Sequence, residues 1–276
     1  MNIKEIKVLL SGNPAPQQLE KLECDVRIGV KKLMEAYHKR MARLEKERLR
    51  YEKMLAFEQA AYAAGAEYIA GVDEAGRGPL AGPLVVATVI LPRGAFFEGL
   101  NDSKQLSAAQ RERLYAEILS KAVDIRVNIV SVSNIDKENI YRATKRGMAE
   151  ALRALQVKPQ KAFLDAMEVS IEGMECKSIT HGDALSVSIA AASVIAKVTR
   201  DRLMDKLDKI YPEYGFASNK GYGSPLHMEA IMKYGATVWH RRTYEPVKSM
   251  NLPSVAEEEN IIYSPQTDAY EYEVHA

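Results

Sequence analysis

The spacing of apolar residues changes character once along the chain. Val30, Leu33, Met34, Tyr37, Met41, Leu44, Tyr51 and Leu55 recur at three- and four-residue steps. That period lines one face of a helix, and it predicts about 45 residues of helix after the breaker Ser11-Gly12-Asn13-Pro14-Ala15-Pro16. Gly65 suits the C-terminal cap of that segment. From Tyr68 onward, strand and helix patterns alternate. Residues 68–72 and 84–91 read as strands, the second a β-branched run of the kind buried on both faces. Ser107-Ala108-Ala109-Gln110 fits a capping box opening a helix to Lys121. Residues 125–132 alternate as a strand, and Ser133 is placed to cap a helix over 135–155. Residues 161–164 form a short strand that ends in Asp165. A hairpin-like piece over 167–179 turns at Glu172-Gly173. A long helix rich in small residues follows over 184–207, then a turn-rich loop over 211–223 and a short helix over 225–233.

This order predicts an α/β layered domain over 67–250, preceded by a helical extension over 1–66. Residues 251–276 carry six acids, no Lys or Arg, and no clear period. They read as a flexible acidic tail. No internal repeat is visible.

Composition alters this picture little. The chain has 276 residues, 47% hydrophobic and 27% charged, with a formal net charge of +1. A polyanionic partner must therefore be argued from local charge. One local excess exists: ten Lys or Arg against four Glu between Arg27 and Lys53. A solvated helical face explains it, and so does a face that touches a phosphate backbone. Cys24 and Cys176 are far apart and offer neither a disulfide framework nor a metal-type spacing. With no apolar leader and no run long enough for a membrane span, the expectation is a cytoplasmic protein, away from membranes.

Four acids stand where apolar runs stop: Asp73, Glu74, Asp165 and Asp183. A carboxylate cluster with few histidines is hard-oxygen coordination, suited to Mg²⁺ or Mn²⁺. Each acid also has a plainer explanation. Asp183 suits a helix N-cap and Asp165 a turn. Asp73 and Glu74 would point to opposite faces of a regular strand, so both reach one site only where the strand ends or distorts. Gly76-Arg77-Gly78 beside them is a flexible turn with one cation.

Asp73 to Pro83, Asp-Glu-Ala-Gly-Arg-Gly-Pro-Leu-Ala-Gly-Pro, resembles the signature of the type 2 ribonuclease H family, in its bacterial ribonuclease HII branch. Asn101-Asp102-Ser103-Lys104, Leu164-Asp165, Gly182-Asp183-Ala184, the run from Ser188 to Asp201, Lys220-Gly221-Tyr222-Gly223 with His227, and His240-Arg241-Arg242 agree in order. The resemblance covers roughly residues 68–247. It implies a ribonuclease H-like fold, with a mixed central sheet flanked by helices. It also implies an endonuclease, dependent on a two-ion Mg²⁺ or Mn²⁺ site, that cuts the RNA strand of RNA–DNA hybrids. Such an enzyme incises 5′ of single ribonucleotides in duplex DNA and leaves 5′-phosphate and 3′-hydroxyl ends, as in ribonucleotide removal.

By the same resemblance the metal ligands fall on Asp73, Glu74, Asp165 and Asp183. Gly76, Arg77 and Gly78 meet the ribose 2′-hydroxyl and adjoining phosphate, and Tyr222 packs on the next sugar. Lys104, Lys197, Lys220 and Arg241 are candidate phosphate contacts, although Lys197 equally fits a salt-bridged helix position. A monomer is expected. His181, Leu185 and Gln105 depart from residues common in the family. The alternatives are a ribonuclease HIII-like hybrid nuclease, which has a different pattern after Asp-Glu, and a non-catalytic hybrid-binding protein, which would lack an acid.

Overall fold

A computed structural model describes residues 1–250 and 261–266. Asn2 caps its first helix, α1 (Ile3–Ser11), by accepting from Glu5 N at 2.9 Å while Glu5 reaches back to Asn2 N at 2.8 Å. Periodicity alone does not mark so short a helix. α2 (Pro16–Glu23) starts on a proline, and α3 (Ile28–Met54) follows a turn in which Asp25 accepts from Arg27 N at 3.0 Å. Ile6, Leu10, Leu22, Val30 and Met34 form the core of this first compact unit, Met1–Lys53.

The second unit, Met54–Ala276, opens with α4 (Ala56–Ala63). Its Phe57, Ala61 and Tyr62 pack with Ile69, Phe163, Ile179 and Ile189. The expected 1–66 extension includes this helix, whose apolar face belongs to the second unit's core. Gly65 (φ +91°) ends it, with Ala66 N bonded to Ala61 O at 3.1 Å.

β1 (Ile69–Ala75) and β2 (Leu84–Ile90) pair antiparallel, and β2 continues antiparallel to β3 (Asp124–Val130). α5 (Ala108–Lys121) connects β2 to β3 and keeps the expected Ser107–Gln110 capping box. β4 (Lys161–Asp165) lies parallel to β1 and β5 (Glu175–Ile179) parallel to β4. The described sheet reads β5-β4-β1-β2-β3-β6, with β6 (Ile261–Tyr263) antiparallel to β3. Three residues of the expected tail are therefore sheet edge; residues 251–260 and 267–276 lie outside the described residues.

Five expectations change. The helix expected over about 45 residues after the breaker is three, α2, α3 and α4, divided at the Asp25–Arg27 turn and at Leu55. The single helix over 135–155 is two, α6 (Val132–Glu138) and α7 (Ile140–Ala154), because Asn139 turns to φ +68° and caps the second. Ser131 rather than Ser133 caps the first. The helix over 184–207 is α8 (Gly182–Leu185) and α9 (Val187–Ile210), divided where Ser186 caps α9. The 167–179 segment does turn at Gly173, but β5 pairs parallel with β4 rather than folding back on a hairpin partner.

Side-chain alternation sorts the sheet faces. Ala70, Val72, Val86 and Val130 share a core with Met148, Ala151 and Leu152 of α7. Gly71 points the other way, where a Cβ would lie 2.0 Å from the backbone of Ser188. That contact seats α9 directly on β1. α9 carries Ala190, Ala191, Ala192 and Ala196, all buried, so the helix can lie close to the sheet.

α10 (Phe216–Asn219) and α11 (Pro225–Tyr234) complete the described helices, with Phe216, Ile231, Trp239 and Tyr214 in a further core cluster. Among the described residues, no helix is long and apolar enough to cross a membrane.

Candidate metal and nucleic-acid site

The acidic site forms at the C-terminal ends of the parallel pair β1 and β4. Val72 is in register with Leu164, so Asp73 and Asp165 are the next residues on adjacent strands. Asp183 comes from the first turn of α8 and is not its cap; His181, at φ +56°, holds that position. Gly182 N donates to Asp165 Oδ1 at 2.7 Å, which ties α8 to the strand end. Carboxylate oxygens of Asp73, Asp165 and Asp183 lie within 4.8 Å of one another.

Glu74 stands outside this trio. β1 remains regular through Ala75, so the expected strand distortion is absent and Glu74 projects to the opposite face from Asp73. It still lines the same cavity, of about 250 Å³, together with Asp73, Asp165, Lys104, Lys197 and Tyr222.

Electrostatics makes the site costly without a cation. Burial, then the charges of Glu74, Asp165 and Asp183, hold the Asp73 carboxyl well above the usual range. Burial pushes Glu74 up to about 7, against the pull of Arg77, 3.5 Å away. Asp183 is raised by burial and by Asp165, with Lys104 opposing. Among the described residues, Glu74 Oε2 is buried without a hydrogen-bond partner. Converging hard oxygens, repulsion and an orphaned acceptor together fit a divalent cation.

The 76–78 loop lines the same cavity. Its Gly76 takes φ +103°, and a Cβ there would meet Arg200 Nε at 2.1 Å. Arg241, expected at a phosphate, is fully buried. It donates to the carbonyls of Gly76, Arg77 (2.8 Å) and Gly82 (3.0 Å), so it holds the loop from behind. Because a trans peptide points C=O and N–H in opposite directions, carbonyls turned in toward Arg241 turn the Arg77 and Gly78 amides out. Among the described residues, neither amide donates to a protein acceptor.

Arg200, to which sequence reasoning assigned no role, donates to Pro83 O (3.0 Å), Ala81 O (3.1 Å) and Lys220 O (2.9 Å). It thereby joins the glycine loop to the segment carrying Tyr222. One signal was available: an arginine in register with Ala192 and Ala196 on a buried helical face. Tyr222 is half exposed, and its Cε1 lies 3.5 Å from where a Gly78 Cβ would be.

The remaining cations divide. Lys104 reaches Asp183 at 3.3 Å and stays largely in solvent. Lys197 pairs with Asp201 at 2.6 Å, the salt-bridged reading, yet still lines the cavity. Lys220 pairs with Asp205.

Residues 70–247 match the family model described as ribonuclease HII, and residues 2–62 match its N-terminal domain model. The chain belongs to the ribonuclease HII family. A curated ribonuclease HII of Geobacillus thermodenitrificans is 50% identical over 89% of this chain and 95% of its own length. The ribonuclease H2 crystal structure from Pyrococcus horikoshii is 32% identical and covers 66% of this chain and 96% of its own, with TM-score 0.58. Bst ribonuclease HIII, solved with Mn²⁺, covers 68% of this chain and 70% of its own at 19% identity and TM-score 0.54, and shows the shared fold. As a ribonuclease HII family member the protein is a ribonuclease H, a divalent-metal-dependent nuclease acting on RNA–DNA hybrids.

Proposed function

We propose that this ribonuclease H cuts the RNA strand of hybrids and also incises duplex DNA on the 5′ side of a single embedded ribonucleotide, with two Mg²⁺ or Mn²⁺ ions and 5′-phosphate products. One observation carries the reading: Asp73 and Asp165 of the carboxylate trio line the same cavity as Gly78 and Tyr222, which are themselves in contact. Only the 2′-hydroxyl separates a ribonucleotide from its neighbours, so discrimination needs short donors at sugar level. The outward amides of Arg77 and Gly78 are such donors, and the glycine leaves room for a close approach. The Tyr222 ring across from them stacks against the following deoxyribose, where another hydroxyl would be crowded.

Asp73, Asp165 and Asp183 would hold the ions, with Glu74 completing the set from the other side of β1. Bound there, the ions supply an activated water and charge neutralisation at the scissile phosphate. Lys104 and Lys197 hold the flanking phosphates. The exposed basic residues of α3, Lys31, Lys32, Lys39 and Lys46 among them, add an accessory duplex contact.

The test is a DNA duplex with one ribonucleotide, incubated with Mg²⁺ or Mn²⁺. Incision 5′ of that residue is expected; its absence across a range of salt concentrations overturns the proposal. Asp73→Asn should abolish cleavage and retain duplex binding.

A further inference from the structure

His227 and His240 are both fully buried, and their Nε2 atoms are 3.1 Å apart. Their flanking partners leave a single arrangement of protons. Thr237 N–H, which can only donate, points at His240 Nδ1 at 2.9 Å, so that nitrogen is bare, and the Thr237 hydroxyl, also 2.9 Å away, faces it as a second donor. A neutral His240 therefore carries its proton on Nε2. At the other end, His227 Nδ1 lies 2.8 Å from Tyr222 O, which can only accept, so His227 is protonated on Nδ1. Its Nε2 is then free to accept from His240. The chain Thr237 N–H → His240 → His227 → Tyr222 O is satisfied at every link. A further proton on either ring would set two N–H groups against each other.

The chain also joins two parts of the site. His227 anchors the carbonyl of Tyr222. His240 is bridged to Ala81 and precedes Arg241, which holds the carbonyls of Gly76 and Arg77. Tyr214 and Phe216 pack around both rings and exclude water.

We propose that the His227–His240 pair is a tautomer-locked strut that sets the gap between Tyr222 and the Gly76–Gly78 loop, and so is a positioning element for ribose discrimination. It touches neither substrate nor metal. The proposal rests on the single-ribonucleotide reading above.

Two measurements test it. The chain has five histidines, so ¹⁵N imidazole shifts can be assigned on the intact protein. At pH 7 they should show His227 as the Nδ1–H tautomer and His240 as the Nε2–H tautomer; either ring charged, or the tautomers reversed, overturns the strut whether or not the enzyme incises single ribonucleotides. The second is the ratio of kcat/KM on an embedded ribonucleotide to kcat/KM on a long hybrid. His227→Phe removes both links and should lower that ratio about tenfold or more, the scale of one buried hydrogen bond left unmade. His240→Gln retains an N–H donor where Nε2–H stands and should recover most of the ratio. A ratio unchanged in folded His227→Phe overturns the proposal, as does a ratio equally depressed in both variants. If His227→Phe does not fold, His240→Gln and His240→Leu decide in its place: a retained ratio in the first and a lowered one in the second is expected, and equal ratios overturn the strut. Failure of the wild type to cut the single-ribonucleotide duplex would instead sink the reading of function, leaving the tautomers to stand on the spectrum.

Discussion

Lys104 Nζ lies 3.3 Å from Asp183 Oδ2, across 79 positions of sequence. The turn that carries Lys104 is pinned by Ser103 N donating to Ser193 Oγ of α9 at 3.3 Å. A cation thus stands over the acidic trio and shares its charge with Asp183. On the proposed function, Asp183 would be drawn to a bound divalent ion, which would leave the Lys104 ammonium available to a phosphate. Lys104→Ala should raise KM for duplex substrate, most at low salt, and make the salt dependence of binding shallower by about one unit of slope. Binding titrations across a salt series check this, and an unchanged slope would remove Lys104 from the phosphate contacts.

Protons and divalent ions compete for the same oxygens. Glu74 is raised to about 7, and Asp73 and Asp183 are also raised. Apparent Mn²⁺ affinity should therefore fall as pH drops below about 7, with protons released on binding. Calorimetry in buffers of different ionisation enthalpy reads that release directly.

The same shifts give a sign for stability. A carboxyl whose folded pKa exceeds its unfolded value stabilises the fold below the unfolded pKa, and loses that contribution as pH rises through the folded pKa. The buried histidines act oppositely: His240 is lowered to about 3 and His227 is also lowered, so their penalty appears only below the unfolded value of 6.5. Without metal, Tm should fall as pH rises from 6.5 through 7, and saturating Mg²⁺ should flatten the trend. Glu74→Gln should raise the metal-free Tm at pH 8 and weaken metal binding. A metal-free Tm that climbs over this window would contradict the assignment.

Gly76 and Gly78 make a contrasting pair. An added Cβ at Gly76 meets Arg200 Nε at 2.1 Å, with φ already at +103°. Gly76→Ala should cost about 1–3 kcal/mol, seen as a Tm drop of several degrees, with a large loss of cleavage. At Gly78 the Cβ meets only Tyr222 Cε1, at an ordinary 3.5 Å. Gly78→Ala should keep its Tm and lose cleavage of single ribonucleotides, because the methyl occupies the sugar's approach.

Arg241→Lys separates two roles for one residue. An ammonium cannot serve the Gly76, Arg77 and Gly82 carbonyls in the geometry of the guanidinium fork. The variant should lose on the order of 2 kcal/mol of stability and much of its cleavage rate. Its salt slope should match the wild type, whereas a phosphate contact would lower that slope. Denaturation and binding titrations together decide.

Much of this protein was legible in local pattern. The β-branched run at β2, the capping box at Ser107–Gln110 and the order of strands and helices follow from residues a few positions apart. The acids at strand ends announced hard-oxygen chemistry, and the blocks from Asp73 to Arg242 pointed to a family. Helix breaks were harder, because Asn139 and Ser186 interrupt otherwise continuous patterns through single backbone angles and caps.

Tertiary structure alone decided which polar side chains face out. Arg241 and Tyr222 lie in similar polar stretches of sequence, yet one is fully buried behind the glycine loop and the other is half exposed at the cavity. Burial depends on what the rest of the chain stacks over a residue, and that information is spread across the 159 to 165 positions separating Arg241 from the carbonyls it holds. The sidedness of Asp73 and Glu74 was written in the two-residue period of a strand. That this strand would stay regular through both acids was settled only by its ladder with β2.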